Sequence, residues 1–362
     1  MCIRDRLSVG DPDFATPRHI IEKAYAAMLA GDTHYAPIAG RYQLRKAICD
    51  KFRAESTLAG VTPDHVHVFA GAQNALFAAA LCLLSPGDEV LVLEPMYVTY
   101  EALLKCTGAQ LIRIPADPGN GLRPDLDALA DVVTDKSRAL FYANPNNPSG
   151  VVMTHDELQA IADIARLHDL WVVSDEVYGD LLFEGQHRHI ASLPNMAERT
   201  VTIASASKSY AMTGWRCGWM IAPRELIEHA NNLGLCMLYG SPGFVQEATI
   251  EALLNGKADN VRMRDTYKER RDHVCRQLES VKKLRWLLPQ AGMFMLLDIR
   301  DSGYTSHRLC EELFEQTGVT LLDASAFGSC LEGFVRMAFA AKEDKLTEGC
   351  ERIAGFFNRI VG

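Results

Sequence analysis

The feature that most restricts the fold of this chain is a regular alternation of short apolar segments with helix-forming segments. The apolar segments have the length of strands: HVHVFAG, DEVLVLEP, QLIRIP, RALFYANP, LWVVSDE, TVTIASAS and CGWMIAP. Helical patterns lie between them, for example at 72–84 and from about Tyr97. Parallel neighbours need a crossover helix, so this order predicts an α/β fold with a mostly parallel sheet between helices.

Two predicted helices carry signals at their ends. In THDELQAIADIARLHD, Thr154 is the expected N-cap and Glu157 completes a capping box. The first helix, predicted at 17–30, has Thr16 as its expected N-cap and Gly31 just beyond its end.

The pattern changes after about Phe244. A long charged helix is followed by MFMLLDI, a helix, VTLLD, FVRMAFA and a final helix, which predicts a smaller α+β domain. We therefore predict a large domain at 40–245 and a small domain formed by 1–39 and 246–362, with the first helix packed in the small domain. We regard the polar start, MCIRDR, as a cloning or assembly artefact on a shortened chain, which the native N-terminus in the parent genome would test.

Composition excludes several classes of protein. The 362 residues are 48% hydrophobic and 23% charged, which suffices for a large core. The net charge of −9 disfavours binding to nucleic acid or anionic lipid. The longest apolar run, ALFAAALCLL, is too short for a membrane span. Ten cysteines at irregular spacing, with no Cys-x-x-Cys, favour a reduced, cytoplasmic protein without a disulfide framework.

The segment ASASKSYAMTGWRCGW places Lys208 among small, hydroxyl and apolar residues, with Arg216 eight residues later. Such surroundings lower the pKa of a lysine and make it a nucleophile toward carbonyl groups. Ser205, Ser207 and Arg216 together suit a phosphate. A reactive amine beside a phosphate site indicates pyridoxal phosphate. On this segment alone, an exposed lysine after a strand, with serines serving a turn, is equally compatible.

Three further strand ends carry polar residues, and ligands of such sheets bind at strand carboxyl ends. In FAGAQNAL, a turn at Gly71, Ala72 and Gln73 opens a helix whose N-terminus suits a phosphate. NPNNPSG holds Asn147 in a rigid turn, and SDEVY ends a strand with Asp175, which could pair with a pyridinium nitrogen. Each also has a structural interpretation, as an ordinary turn or a helix cap.

Taken together, these segments resemble the class I/II aminotransferases of the fold type I pyridoxal-phosphate family. The matching segments follow the family's order from Gly10 to Phe339: GDPDFATP, YAPIAG, GAQNAL, PGDEVLVLEPMYVTY, NPNNPSG, SDEVY, SASKSYAMTGWRCGW, QAGMF and FVRMAFA. The resemblance implies an enzyme that transfers an amino group from an amino acid to a 2-oxo acid by a ping-pong mechanism. It also implies pyridoxal 5'-phosphate as cofactor and a homodimer with active sites at the interface.

The resemblance also implies roles for individual residues. Lys208 matches the lysine that binds the cofactor and moves the proton, Asp175 the partner of the pyridine nitrogen, and Tyr97 the aromatic residue stacked on the ring. Tyr178 and Asn147 match the groups that bond the ring's phenolic oxygen. The phosphate site is matched by Gly71, Ala72, Gln73, Ser205, Ser207 and Arg216, joined by Tyr35 from the partner subunit.

At the substrate end, Arg336 matches the arginine that holds the α-carboxylate. Gly10, Asn147 and Phe294 match residues around it. Segments such as DLWVVSDEVYGDLLFEGQH and NLGLCMLYGSPGFVQ resemble family members that use L-arginine as donor and pyruvate as acceptor. Asp13 and Glu101 are candidates, by charge alone, for binding the guanidinium group.

Other functions remain open. They are an aspartate, aromatic or broad-range aminotransferase and a carbon–sulfur β-lyase on the same fold. The effector domain of a transcription regulator is not expected, because the family pattern begins by Gly10 and leaves no room for a DNA-binding segment. His187 and His189 flank Arg188 on a predicted loop without further ligands in sequence, so no metal site is expected.

Overall fold

A computed structural model describes residues 5–361, and the strands and helices follow the predicted order. The strands are β1 Asp5–Arg6, β2 Val66–Phe69, β3 Glu89–Leu93, β4 Gln110–Ile114, β5 Ser137–Ala143, β6 Trp171–Asp175, β7 Thr200–Ser205, β8 Gly218–Ile221, β9 Arg285–Leu287, β10 Phe294–Asp298, β11 Val319–Thr320, β12 Leu322–Asp323 and β13 Phe334–Ala338. The helices are α1 Arg18–Leu29, α2 Tyr42–Glu55, α3 Ala72–Leu83, α4 Tyr100–Lys105, α5 Leu126–Asp131, α6 His155–Leu167, α7 Ala206–Ser209, α8 Arg224–Met237, α9 Gly243–Asn255, α10 Lys257–Leu278, α11 Ser306–Thr317 and α12 Glu343–Val361.

The central sheet has seven strands in the order β2-β8-β7-β6-β5-β3-β4. Strands β4, β3, β5, β6 and β7 pair in parallel, whereas β8 is antiparallel to both of its neighbours. The prediction of an α/β fold with a mostly parallel sheet is confirmed. The carboxyl ends of β5, β6 and β7 consequently lie side by side at one edge.

Both faces of this sheet are buried, because successive side chains of a strand point to opposite faces. Val90 and Val92 of β3 belong to a core that includes residues of α3 and α8. Leu91 and Leu93 of the same strand belong to a second core with residues of α6. The continuous apolar runs of the sequence therefore correspond to strands covered on two sides.

The carboxyl-terminal part forms a second, antiparallel sheet in the order β12-β13-β10-β9. Its core joins Met295 of β10 and Val335 of β13 to residues of α10, α11 and α12. The predicted domain boundaries themselves remain a prediction. No helix within residues 5–361 is long and apolar enough to cross a membrane.

The first helix differs from its prediction. It begins at Arg18, and Pro17 occupies the N-cap position without a side-chain cap. Thr16 is used elsewhere, because its hydroxyl donates to Ala211 O (2.6 Å) and accepts from Trp215 Nε1 (3.0 Å). Buried residues of α1 share a core with residues of α2, β2, β8 and α9, so α1 packs against elements assigned to both predicted domains.

The start of helix α4 and the start of the chain also differ from the predictions. Helix α4 begins at Tyr100 rather than near Tyr97. Of the MCIRDR segment, residues 1–4 lie outside the described residues, whereas Asp5–Arg6 pairs in parallel with Val319–Thr320. The last two residues of that segment therefore take part in the fold.

Candidate active site

A cavity of about 300 Å³ lies at the carboxyl ends of the central strands and is lined by most of the predicted site residues. These are Gly10, Ala72, Gln73, Tyr97, Asn147, Asp175, Tyr178, Ser205, Ser207, Lys208, Phe294, Arg216 and Arg336. Gly71 immediately precedes the first residue of α3, next to this cavity. Tyr35 lies apart from the lining and is 85% exposed.

Lys208 belongs to the short helix α7, which follows β7 directly. Ser205 caps this helix by accepting a 3.3 Å hydrogen bond from the backbone N–H of Ser207. The Lys208 amine donates to the backbone oxygen of Gly10 at 2.6 Å. Burial lowers the pKa of Lys208 to about 8; Asp11 opposes this shift, and the positive charges of Arg216 and Arg336 add to it. The amine is therefore poised to be partly neutral near physiological pH.

Asp175 ends β6 and is buried beneath the cavity. Its Oδ2 accepts a 3.0 Å hydrogen bond from the Tyr100 hydroxyl, and its Oδ1 accepts one from the N–H of Val177 at 3.3 Å. Burial raises the pKa of Asp175 to about 6, against the effect of these two hydrogen bonds. Within residues 5–361 no cationic side chain forms an ion pair with Asp175, so a cationic ligand atom would complete its surroundings.

Sequence reasoning missed Tyr100, although it stands three residues after Tyr97 in YVTY. Tyr100 is fully buried, and its ring contacts that of Tyr97 edge to face, with centroids 6.1 Å apart. The buried Tyr178 ring packs against the ring of Phe294, with centroids 6.1 Å apart. The cavity thus lies among aromatic side chains that would surround a planar ring.

The predicted phosphate site combines a helix N-terminus with an arginine. Gly71 has a φ of +84° and places the first N–H groups of the twelve-residue helix α3. A Cβ atom at Gly71 would lie 2.4 Å from Nη2 of Arg216, so only glycine admits the guanidinium there. Arg216 also donates to the backbone oxygens of Thr213 (2.8 Å) and Ala70 (3.2 Å), which fix its position.

The side-chain oxygen of Gln73 is held by a neighbouring hydroxyl. Its Oε1 accepts a 2.9 Å hydrogen bond from the hydroxyl of Thr99. Its backbone N–H, in the first turn of α3, is a donor that suits an anion.

Arg336, on β13, also lines the cavity. Its Nη1 donates to Asn147 Oδ1 (2.9 Å) and its Nη2 to the backbone oxygen of Ser8 (2.8 Å). Among the described residues its buried Nε has no hydrogen-bond partner. The guanidinium lies 4.0 Å from the ring centroid of Phe294, and burial lowers the pKa of Arg336 to about 10. A buried guanidinium with a donor to spare suits a carboxylate.

Gly10 lies against the Phe294 ring. A Cβ atom at Gly10 would come within 2.1 Å of Cζ of Phe294. The backbone oxygen of this glycine accepts the hydrogen bond from the Lys208 amine.

The chemistry of these groups fits pyridoxal phosphate. Arg216, the α3 N-terminus and the hydroxyls of Ser205 and Ser207 suit its phosphate. The buried Asp175, which lacks a cationic partner among residues 5–361, suits a protonated pyridine nitrogen. The amine of Lys208, with its lowered pKa, suits the aldehyde.

Comparison with known proteins agrees with this chemistry. The sequence model of the family described as "Aminotransferase class I and II" matches residues 6–353. The arginine–pyruvate transaminase AruH of Pseudomonas aeruginosa is 45% identical over 356 residues, which cover 98% of this chain and 90% of that protein. The aspartate/prephenate aminotransferase of Thermus thermophilus is 36% identical over 359 residues, with coverages of 98% and 90%.

A solved structure gives the same result. The aromatic aminotransferase of Pyrococcus horikoshii superimposes with a TM-score of 0.95 at 35% identity, and the match covers 98% of this chain and 96% of that one. The family model spans nearly the whole chain and both relatives exceed 30% identity over it. The chain therefore belongs to the class I and II aminotransferases, pyridoxal-phosphate-dependent transferases of fold type I.

Proposed function

We propose that this aminotransferase takes the amino group of L-arginine and transfers it to pyruvate. The observation that carries the choice of substrates is the 45% identity to an arginine–pyruvate transaminase over 98% of the chain, compared with 36% to an aspartate/prephenate aminotransferase. The segments that suggested arginine in the sequence support the same choice. An aspartate or aromatic donor is the second candidate, favoured by the names of the other relatives and of the solved structure.

The roles that we propose for the residues follow from their positions. Arg336 binds the α-carboxylate of the amino acid through its planar fork, and Asn147 holds that guanidinium from one side. Lys208 takes the proton from Cα of the amino acid and would deliver it to the C4′ carbon of the cofactor, acting as base and then as acid. Asp175 keeps the pyridine nitrogen protonated. Bound in this way, pyridoxal phosphate supplies an electron sink for the charge that develops at Cα.

Fixing the substrate's α-carboxylate at Arg336 contributes to the rate of proton transfer from Cα. When Arg336 holds the α-carboxylate and the substrate's amino group lies near Lys208, the Cα–H bond is directed at the Lys208 amine. Orientation of this kind is worth several kcal/mol of the activation barrier. We propose that this alignment is the main function of Arg336.

Neither acid suggested by charge is available to a guanidinium ligand. Both carboxylate oxygens of Asp13 accept from Arg270, at 2.7 and 2.9 Å. Glu101 pairs with Lys105 at 2.6 Å and with Arg113 at 2.8 Å. Recruiting either one would break existing ion pairs, so the proposal for L-arginine does not depend on these two residues.

We also propose that the enzyme is a homodimer in the cytoplasm. Large apolar side chains are exposed near one another in sequence on and after α1, including Tyr25 (58%), Leu29 (72%) and Tyr35 (85%). Tyr35 contacts the ring of Tyr239, itself 51% exposed, with centroids 4.8 Å apart. An exposed aromatic patch of this kind favours a subunit interface, and Tyr35 would reach the phosphate of the partner subunit from there. The nine cysteines among residues 5–361 form no disulfide, which is compatible with a reducing compartment.

Steady-state kinetics with crossed donors and acceptors tests the proposed substrates. We expect kcat/KM to be highest for L-arginine with pyruvate, and alanine to accumulate as the product. A higher kcat/KM for L-aspartate or L-phenylalanine with 2-oxoglutarate would replace the proposal with the second candidate. Pyruvate released from cystathionine without any added 2-oxo acid would instead indicate a β-lyase.

A further inference from the structure

We propose that the chain binds one zinc ion through Glu176, His187 and His189, in a second cavity that adjoins the proposed cofactor cavity. In sequence the two histidines lacked a third ligand. The fold supplies it, because Glu176 directly follows β6 and the chain returns to it through the segment at 182–189.

The three side chains converge on one point. Oε2 of Glu176 lies 2.5 Å from Nδ1 of His189 and 3.0 Å from Nε2 of His187. One ligand atom from each residue lies within 4.8 Å of the other two. The side chains are only 3% exposed for Glu176, 9% for His187 and 7% for His189. Small movements would bring all three atoms to the distances of about 2.0–2.2 Å that Zn²⁺ requires.

The hydrogen bonding of the histidines is incomplete. Among the described residues, Nδ1 of His187 and Nε2 of His189 have no hydrogen-bond partner. Nε2 of His187 lies 3.0 Å from Oε2 of Glu176, an ion-pair contact with poor hydrogen-bond geometry. Buried polar atoms without partners are rare and costly. A cation shared by the carboxylate and this nitrogen would explain why they lie together.

The surroundings support a metal ligand set. Ser174 Oγ donates a 2.9 Å hydrogen bond to Oε1 of Glu176, so Oε2 is the oxygen that would coordinate the ion, in place of its 2.5 Å hydrogen bond with Nδ1 of His189. The Phe52 ring packs against His189 with centroids 4.7 Å apart and restricts its orientation. The nearby ammonium of Lys51 is neutralised by Asp180 at 2.6 Å and by Glu55, so it does not repel a cation strongly.

The second cavity gives such an ion a place for a further ligand. It has a volume of about 560 Å³, and all three candidate ligands line it. Two histidines and one glutamate with an open position form a ligand set typical of Zn²⁺, with water as the fourth ligand. Nitrogen and oxygen donors without sulfur also suit Co²⁺, which serves as a spectroscopic probe.

The expected role of the ion is to hold two segments of the chain together. Glu176 is adjacent to Asp175, whose carboxylate faces the cofactor cavity. An ion bound to Glu176 and to both histidines would fasten the segment at 182–189 to the end of β6. It would thereby stabilise the strand end that carries Asp175, without touching substrate or cofactor.

Metal titration of the intact enzyme tests this proposal. The pyridoxal-phosphate-loaded protein is treated with a chelator, freed of it, and titrated with Co²⁺ and then with Zn²⁺. We expect one equivalent of Co²⁺ per chain, visible absorption bands without the intense near-ultraviolet band of thiolate ligands, and displacement by Zn²⁺. Zinc should also raise the melting temperature of the wild-type enzyme.

His189→Gln and Glu176→Gln should each weaken Co²⁺ binding about 100-fold or more, while the cofactor absorption reports that the fold is kept. His19→Gln is the matched control. The two ring nitrogens of His19 contact different carboxylates, Glu251 at 2.8 Å and Asp259 at 3.1 Å. Because these contacts lie on opposite sides of the ring, the three residues cannot bind one ion together. The His19→Gln variant should bind Co²⁺ like the wild type.

Three results would overturn the proposal. They are the absence of stoichiometric Co²⁺ binding to wild-type enzyme, a thiolate band that assigns the ion to cysteines, and equal Co²⁺ affinity in His189→Gln and wild type. The wild-type titration remains decisive even if the variants do not fold. None of these outcomes depends on which amino acid is the donor.

Discussion

The guanidinium of Arg336 donates a 2.9 Å hydrogen bond to the side-chain oxygen of Asn147, 189 positions earlier in the chain. Arg336 lies on β13 of the four-stranded sheet, and Asn147 follows β5 of the seven-stranded sheet. This contact therefore joins the two sheets at the place where we propose that the substrate carboxylate binds. The relative position of the sheets consequently affects the geometry of the site.

Replacing Arg336 by lysine should raise KM for both the amino donor and the 2-oxo acid. A point charge cannot reproduce a planar fork that bonds Asn147 and a carboxylate together, so we expect an increase of about 10- to 100-fold, or about 1.4–2.7 kcal/mol of binding. Steady-state kinetics of both half-reactions measures this. Arg300→Lys is the matched control, because Arg300 pairs with Asp298 on the protein surface and should leave KM unchanged. Unchanged KM values in Arg336→Lys would remove Arg336 from the carboxylate site.

The reactivity of Lys208 toward a carbonyl should depend on pH with a midpoint near 8. Burial and the neighbouring arginines favour the neutral amine, so its neutral fraction rises as pH increases through a folded-state pKa of about 8, compared with 10.5 for an ordinary lysine. The rate at which cofactor-free protein attaches added pyridoxal phosphate, followed by absorbance from pH 6 to pH 10.5, measures this. Lys208→Ala controls for non-covalent binding. A rate that continues to rise without levelling until about pH 10 would contradict the lowered pKa.

Gly71→Ala should weaken cofactor binding by at least about tenfold, because the added Cβ occupies the space of the Arg216 guanidinium. Gly31→Ala separates this effect from backbone strain. Gly31 has a φ of +86°, close to the +84° of Gly71, but no atom lies within 4 Å of its added Cβ. Both variants should lose about 1–2 kcal/mol of folding stability from the left-handed conformation. Only Gly71→Ala should lose affinity for pyridoxal phosphate in equilibrium titrations, and equal affinities would contradict the proposed phosphate site.

Subunit mixing tests whether Tyr35 serves the partner's site. Tyr35→Ala alone should bind the cofactor weakly, and Lys208→Ala alone should lose transamination by a factor on the order of 10³ or more. In a mixed dimer, one site contains wild-type Lys208 together with wild-type Tyr35 from the other subunit. At cofactor concentrations too low to saturate Tyr35→Ala, mixing the two variants should therefore restore up to about a quarter of wild-type activity, if subunits exchange at random. No recovery, despite exchange demonstrated with tagged subunits, would mean that each site uses its own Tyr35 or none.

Much of the fold and of the site follows from local sequence. Strand-length apolar runs predicted the central sheet, and the carboxyl ends of parallel strands must meet at one edge. Asn147 after β5, Asp175 at the end of β6 and Lys208 after β7 therefore had to lie close together. Their chemical types, and the family resemblance, then suggested their roles.

Contacts that depend on tertiary geometry could not be predicted in the same way. The bond from Tyr100 to Asp175 depends on where α4 begins, and the sequence placed that start three residues early. Thr16 has the features of an N-cap, but tertiary hydrogen bonds to Ala211 and Trp215 take up its hydroxyl. Glu176 approaches His189 only because a loop folds back onto β6, and no spacing rule describes that path.

Single-turnover spectroscopy with separate amino acids tests the central claim, that this aminotransferase uses L-arginine, most directly. The pyridoxal-phosphate-loaded enzyme is mixed with one amino acid at a time and no 2-oxo acid, and the rate of conversion to the aminated cofactor is followed by absorbance. We predict that L-arginine gives the fastest conversion per unit concentration and that added pyruvate reverses it. Faster conversion by L-aspartate or by an aromatic amino acid, with little conversion by L-arginine, would contradict the claim.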